Sequence, residues 1–346
     1  MDLKIYDKTL NFVGIVDNCS SIQWNRKYFE TGNFELHAPI NTNNLALLML
    51  ENIITKPNTI EAGVIEDIQL IENSQTQEMV IKGRFLSSYL DRRLIKGTFN
   101  FNGKVEDAMR SIINKVSAIP LLELGTLNGF DETISFQAAN MNALKCMTNL
   151  SKSSNIGFRF VPDFENKKIV FETYKGTDRT VNQSTNNRVT FSELYSNLDS
   201  AEYRINRQVQ VTKVVAAATY TSGTNSKEIT VEVGDGSGLE LVERYVKANI
   251  DSKDIDEQTF TNNLKQAAQL QLSNISESFE SDVNPYINFN YKDDYDIGDI
   301  VTVAKTSWGI VKNLRLTELN EIYETEVMQI VPTLGTPLPV QIDWSV

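Results

Sequence analysis

Residues 291–320 read YKDDYDIGDIVTVAKTSWGIVKNLRLTELN, and the first nine hold four aspartates, Asp293, Asp294, Asp296 and Asp299. Such a cluster is either an oxygen-rich cation or catalytic site, or the turn-rich rim of a strand. An EF-hand loop counted from Asp293 needs acidic or amide side chains at its third and fifth positions and a glutamate at its twelfth. Tyr295, Ile297 and Ala304 stand there instead. The aspartates therefore read as turn formers that bond their own backbone. The runs after them, IVTVAK and LRLTELN, read as strands.

Working outward, the same texture governs the start of the chain. LKIYD (3–7), NFVGIVD (11–17), SIQWNRKYFE (21–30) and TGNFELHAP (31–39) are strand-like, with Gly32 in a turn. A short helical turn through Leu50, capped by Asn43 or Asn44, is expected, then a hairpin from 61–73 and 77–93. This predicts a small β-barrel-like module over 1–98. Val105, Ala108, Met109, Ile112, Ile113 and Val116 recur at steps of three and four, one apolar stripe on a helix. Asn140 is positioned to cap a second helix, and 156–176 reads as a hairpin. Residues 99–188 are thus expected to form an α+β domain with two helices and a hairpin. A second β-barrel-like module is expected over 189–335, with a helical insert at about 239–280, whose helix covers 257–276, and four closing strands beginning at PYINFNY (285–291). The tail 336–346, broken by Pro337 and Pro339, is expected to leave the core. The fold class is mixed α+β and rich in β.

The chain has 346 residues, enough for two or three domains. Its formal charge is -12, from 45 acidic and 33 basic residues, so phosphate backbones are repelled unless one face is locally basic. The two cysteines, Cys19 and Cys146, have no metal or redox spacing. The opening MDLKIYD has no apolar signal segment, and no stretch is apolar enough to span a membrane.

Catalytic patterns are missing from the sequence. GDGSG (234–238) lacks the Lys-Ser/Thr of a phosphate loop and reads as a turn. His37, the single histidine, lies in a strand without a metal motif. Carboxylate pairs such as Glu66 with Asp67, or Glu123 with Asp131, sit in no frame that fixes their separation. RRLIK (92–96) is the densest basic patch, and Arg92 or Arg93 could pair with acids of a neighbouring subunit. No catalytic, cofactor or metal residue is assigned.

Taken in order, several stretches carry a resemblance: Trp24 with Gly32-Asn33-Phe34-Glu35-Leu36, AGVIEDI (62–68), KGRFLSSYLDRRLI (82–95), KGTDRT (175–180), VTFSELYSNL (189–198), YDIGDIVTV (295–303) and LRLTELNE (314–321). The chain resembles the tail hub, or tail-associated structural, proteins of siphophages and prophages of Gram-positive hosts. The resemblance implies a trimeric baseplate-type hub whose two β modules per copy alternate around a pseudo-sixfold ring. It implies contact with the tail tube protein on one face and with a tip, spike or fibre protein on the other, and an axial path for DNA without specific binding. It implies no reaction and no cofactor. The location implied is the virion tail or a prophage-derived particle, assembled in the bacterial cytoplasm. Gly298 and Asp299 are expected to set the turn before a strand whose Val301 and Val303 point inward. Structural or interface roles are expected for Trp24, Gly32, Phe34, Arg92, Arg93 and Trp344. The rival readings are a tail-associated cell-wall hydrolase and a receptor- or carbohydrate-binding tail protein.

Overall fold

The structure, a computed structural model, describes residues 1–73, 77–198, 200–281, 287–324 and 327–335. The tail with Trp344 lies outside the described residues.

The N-terminal strands are β1 (Leu3–Tyr6), β2 (Phe12–Val16), β3 (Ser21–Lys27), β4 (Asn33–Pro39), β5 (Ile53–Thr55), β6 (Gly63–Glu72) and β7 (Gln77–Phe85), with α1 (Thr42–Leu47) between β4 and β5. Alternation decides which side chains enter the core. In β3, Ile22, Trp24 and Arg26 are buried; in β4, Phe34, Leu36 and Ala38 are. Trp24 stacks on Phe34 at 5.6 Å between ring centroids and lies 4.7 Å from the Phe85 ring. Space for Phe34 is made by glycine: a Cβ at Gly63 would sit 2.4 Å from its ring, and one at Gly83 only 1.9 Å from the Val64 carbonyl oxygen.

The middle region contains β8 (Leu94–Lys104), α2 (Val105–Lys115), β9 (Leu122–Leu124), β10 (Thr133–Asn142), α3 (Ala143–Ser154), β11 (Gly157–Asp163) and β12 (Lys168–Tyr174). The α2 stripe buries Val105, Ala108, Met109 and Ile112, and its acidic first turn and Lys115 suit the helix dipole. The cap of α3 is Asn142, whose side chain accepts from the Lys145 amide at 3.0 Å, and not the expected Asn140. Asn140 instead sits at φ 46° beside a register shift, and its Oδ1 accepts from the Gly97 amide.

The C-terminal region contains β13 (Thr190–Ser192), β14 (Glu202–Asn206), β15 (Lys213–Ser222), β16 (Asn225–Gly234), β17 (Glu243–Lys247), α4 (Glu257–Gln269), β18 (Ser276–Glu280), β19 (Ile300–Lys305), β20 (Ile310–Glu324) and β21 (Val327–Gly335). The stretch expected to be a helical insert, 239–280, holds one helix, α4, between two short strands, β17 and β18. β17 runs parallel to β15, and β15 pairs antiparallel with β16. The only α-helix described there is α4, whose Phe260, Leu264 and Ala268 pack with Val214, Ala216 and Ala218. It stops at Gln269, and the residues expected to end it lead into β18. Residues 287–290 of the expected PYINFNY strand form a bend; 285 and 286 lie outside the described residues.

Two separate barrels are not what the strands build. One 13-stranded sheet runs from β14 through β18, β21, β20, β3, β4, β7, β6, β5 and β1 to β2, with β19 and β13 branching from β20. Among the described residues this path has two ends and does not close. The cause is β20, a 15-residue strand. Its first part pairs with β19 and its last part with β3, in register from Glu318 opposite Lys27 to Glu324 opposite Ser21. The β3 edge that would have closed an N-terminal barrel is occupied by β20.

Trp24 lies at the centre of this seam. Trp24→Ala is expected to lower unfolding stability by about 3–5 kcal/mol, read by urea denaturation; a loss below about 1 kcal/mol would contradict a well-packed ring at this point.

Candidate functional site

The most unusual chemistry in the molecule lies where the two ends of the chain meet. Arg26 faces inward from β3 and is 2% exposed. Its guanidinium donates to Glu61 Oε1 through Nε at 2.9 Å and Nη2 at 2.7 Å. Nη1 donates to the Tyr291 hydroxyl at 2.8 Å and also to Asp296. Tyr291 in turn donates to Glu321 Oε1 at 2.8 Å. Glu321, fully buried on β20, also accepts from the Lys56 ammonium and has Lys292 Nζ 3.5 Å away. Three cations, Arg26, Lys56 and Lys292, thus face three carboxylates, Glu61, Asp296 and Glu321.

Burial alone would raise the Glu61 and Glu321 carboxyls, but the cations override it and hold both below the ordinary carboxylate range. Burial also raises the Tyr291 phenol, which stays neutral and bridges the two halves of the network. The arrangement is closed: its charges are spent on one another.

A β-bulge puts Glu321 there. Leu314 and Leu316 are buried; the register shifts between Leu316 and Glu318, and the buried positions then become Leu319 and Glu321. Glu321 lands opposite Trp24. The readable signals were charged residues in the inward phase of a strand, Arg26 after Ile22 and Trp24, and Glu321 after Leu319.

Three of the four aspartates have carboxylates engaged within the chain. Asp299, 5% exposed, accepts from the Thr177 amide at 2.6 Å, the Arg179 Nε at 2.7 Å and the Asp296 amide at 3.1 Å. Asp294 accepts from the Asn290 amide at 2.8 Å, and Asp296 reaches Arg26. Gly298 adopts φ +90°, where a Cβ would lie 2.4 Å from the Tyr28 ring. Val301 and Val303 beyond it are fully buried. Among the described residues, no group of three or more His, Cys, Asp or Glu side chains could hold a metal ion.

Other sequence-selected residues lie apart from this network. Trp24 and Phe34 are buried within the chain, so their side chains have no surface left for a neighbour and act architecturally. Gly32 packs against Phe85 and the Asn25 carbonyl. Arg92 pairs within the chain with Glu51 and Glu66, and Arg93 donates to the carbonyls of Ser117, Ala118 and Arg92. Glu66 also binds Arg84, Glu123 pairs with Lys168, and Asp131 with Lys104. His37 lies between Glu35 and Glu78, at 3.0 and 3.2 Å. No helix among the described residues is long and apolar enough to cross a membrane.

The pattern of the siphovirus ReqiPepy6 Gp37-like protein family matches residues 2–336. The chain belongs to that family. Three solved structures share its fold. The tail protein from Neisseria meningitidis MC58 aligns with a TM-score of 0.62 at 13% identity, over 97% of this chain and 96% of that one. The 43 kDa tail protein of prophage MuSo2 from Shewanella oneidensis gives 0.61 at 13% identity, over 99% of each. Prophage tail protein gp18 from Listeria monocytogenes EGD-e gives 0.58 at 13% identity, over 98% and 96%. No curated protein matches the sequence.

Two tests bear on the ionic network. Arg26→Met leaves Glu61 buried without its counter-charge, with only the Thr59 hydroxyl donating to it among the described residues, and is expected to cost about 3–5 kcal/mol, whereas the double change Arg26→Met, Glu61→Leu should recover most of that loss in urea denaturation. Because Glu61 and Glu321 are held below their ordinary value of 4.5, the stability they contribute is complete above about pH 4.5 and drains away as pH falls through their folded values. Thermal melts should therefore drop steeply below about pH 4.5, and the double variant should show a shallower drop.

Proposed function

We propose that this chain is a structural component of a phage or prophage tail, acting as a non-catalytic hub between tube and tip. Membership of the Gp37-like family across residues 2–336 carries the reading. It is supported by a fold shared with three tail proteins along nearly their whole lengths, and by an aspartate-rich stretch in which three of four carboxylates are engaged in holding the chain together.

In the finer form of this reading, three copies form a ring that meets the tail tube protein on one side and a tip, spike or fibre protein on the other. DNA passes through the centre without specific contacts. The net charge of -12 suits a wall that DNA slides past. The working division is 1–98 and 189–335 as the β-rich parts facing the tube, 99–188 as the α+β part, and 336–346 as a tail available to a partner. The sheet also supplies a means of assembly. Among the described residues its terminal strands β2 and β14 each have one unpaired edge, and β2 exposes Phe12, Val13 and Ile15. Apolar open edges of this kind are normally covered, and a ring of copies would cover them. The particle would be assembled in the bacterial cytoplasm and function in the virion tail.

Light scattering on the purified protein across a concentration series, with cryo-electron microscopy of the tails, tests this. The expected result is a particle of three times the 39.1 kDa chain, or monomers that assemble to three copies per tail around an open axis. Six copies per tail, a blocked axis, or a position on a peripheral fibre would overturn the hub assignment.

A further inference from the structure

A cleft of about 880 Å³ opens between the C-terminal end of α3, the end of α4 with the loop to β18, and residues 313–315 of β20. It is distinct from the ionic network and made of different residues. Its lining contains three cations, Lys152, Arg244 and Arg315, and no carboxylate. In a chain with 45 acidic and 33 basic residues this is a local reversal of charge.

Two of the cations are engaged. Lys152 pairs with Glu30, and Arg315 donates to the Gly298 carbonyl with its guanidinium 5.0 Å from the Tyr28 ring centroid. Arg244 is different. It is half-buried on β17 and has no hydrogen bond or ion pair among the described residues. A guanidinium presents paired N–H donors that match phosphate or carboxylate oxygens.

The rest of the lining is rich in amides. Gln208, Gln266 and Gln269 project into the cleft's boundary without side-chain partners among the described residues. Each amide sets a donor beside an acceptor, the complement of a hydroxyl that both donates and accepts. A smaller hollow of about 440 Å³ shares Ser153, Asn155, Gln266 and Arg315 with the cleft and continues it.

We propose that this cleft binds a phosphorylated polyol, with Arg244 on the phosphate and the glutamines on the hydroxyls. The same chemistry occurs in a repeating polyol-phosphate polymer and in a small free sugar or glycerol phosphate. The second hollow is lined by Glu132, paired with Lys175, so it suits a ligand's hydroxyls rather than a further phosphate. The proposal goes beyond the hub reading and does not require it, because every residue named lies in one copy.

Calorimetric titration of the full chain with poly(glycerol phosphate), glycerol 3-phosphate, glycerol and inorganic phosphate tests it. Saturable binding of poly(glycerol phosphate), at least tenfold tighter than inorganic phosphate, is expected. Comparable affinity per site for glycerol 3-phosphate would identify a small ligand, and a clear preference for the polymer a polymeric one; both support the cleft chemistry. Arg244→Ala should weaken binding about tenfold or more, as for loss of a charge-assisted hydrogen bond, with an unchanged melting temperature. Gln266→Leu should weaken phosphorylated polyols while leaving the weak response to inorganic phosphate unmoved. The proposal is overturned by no saturable binding of either glycerol phosphate, by equal affinity for inorganic phosphate, by an Arg244→Ala protein that binds like the parent, or by tighter binding of a DNA duplex.

Discussion

The pairing of β20 with β3 is the constraint on which the architecture depends. It joins residues almost three hundred positions apart into one ladder and turns two β-rich regions into one sheet. The pairing is held in a single register by what lies on its inner face. Trp24 and Glu321 stand opposite each other there, with Lys56 5.9 Å from the Trp24 ring centroid and bonded to Glu321. A slip of one residue would move Glu321 to the solvent side and leave Lys56 buried without its counter-charge.

Buried ion pairs are weak sources of net stability, because desolvation offsets much of the attraction. Their contribution here is better understood as selectivity between registers. Apolar residues such as Leu319 and Ile322 tolerate more than one neighbour. A lysine and a glutamate in the interior do not, and neither does an arginine held by Glu61 and Asp296 at once. The stacking of Trp24 on Phe34 supplies apolar burial, and the ionic network selects which arrangement receives it.

Local patterns were legible in the sequence where a single element decides the outcome. Alternation in SIQWNRK and NFELHAP marked strands, the stripe from Val105 to Val116 marked a helix, and the failure of the EF-hand spacing marked Asp293 to Asp299 as turn formers. Choices between near-equivalent residues were not legible. Asn140 and Asn142 have the same capping chemistry, and only the register shift in β10 assigns the second. Long-range pairing was hidden for a related reason: alternation states which face of a strand is buried, not which strand lies beside it. The expectation of two barrels followed from that gap. The network of Arg26, Glu61 and Glu321 was likewise missed, although each charged residue in an inward phase was a visible irregularity.

The long β20 strand has a mechanical meaning. One covalent segment runs through both regions and is flanked along its length by β19, β21 and β3. Tension applied along it is shared by many transverse hydrogen bonds at once, so the ladder must shear rather than peel open one bond at a time. The extra residue at Thr317, where the strand changes neighbours, is pinned as well: its carbonyl accepts from the Tyr28 amide and its hydroxyl donates to the Thr333 carbonyl, so load crosses the bulge without slack.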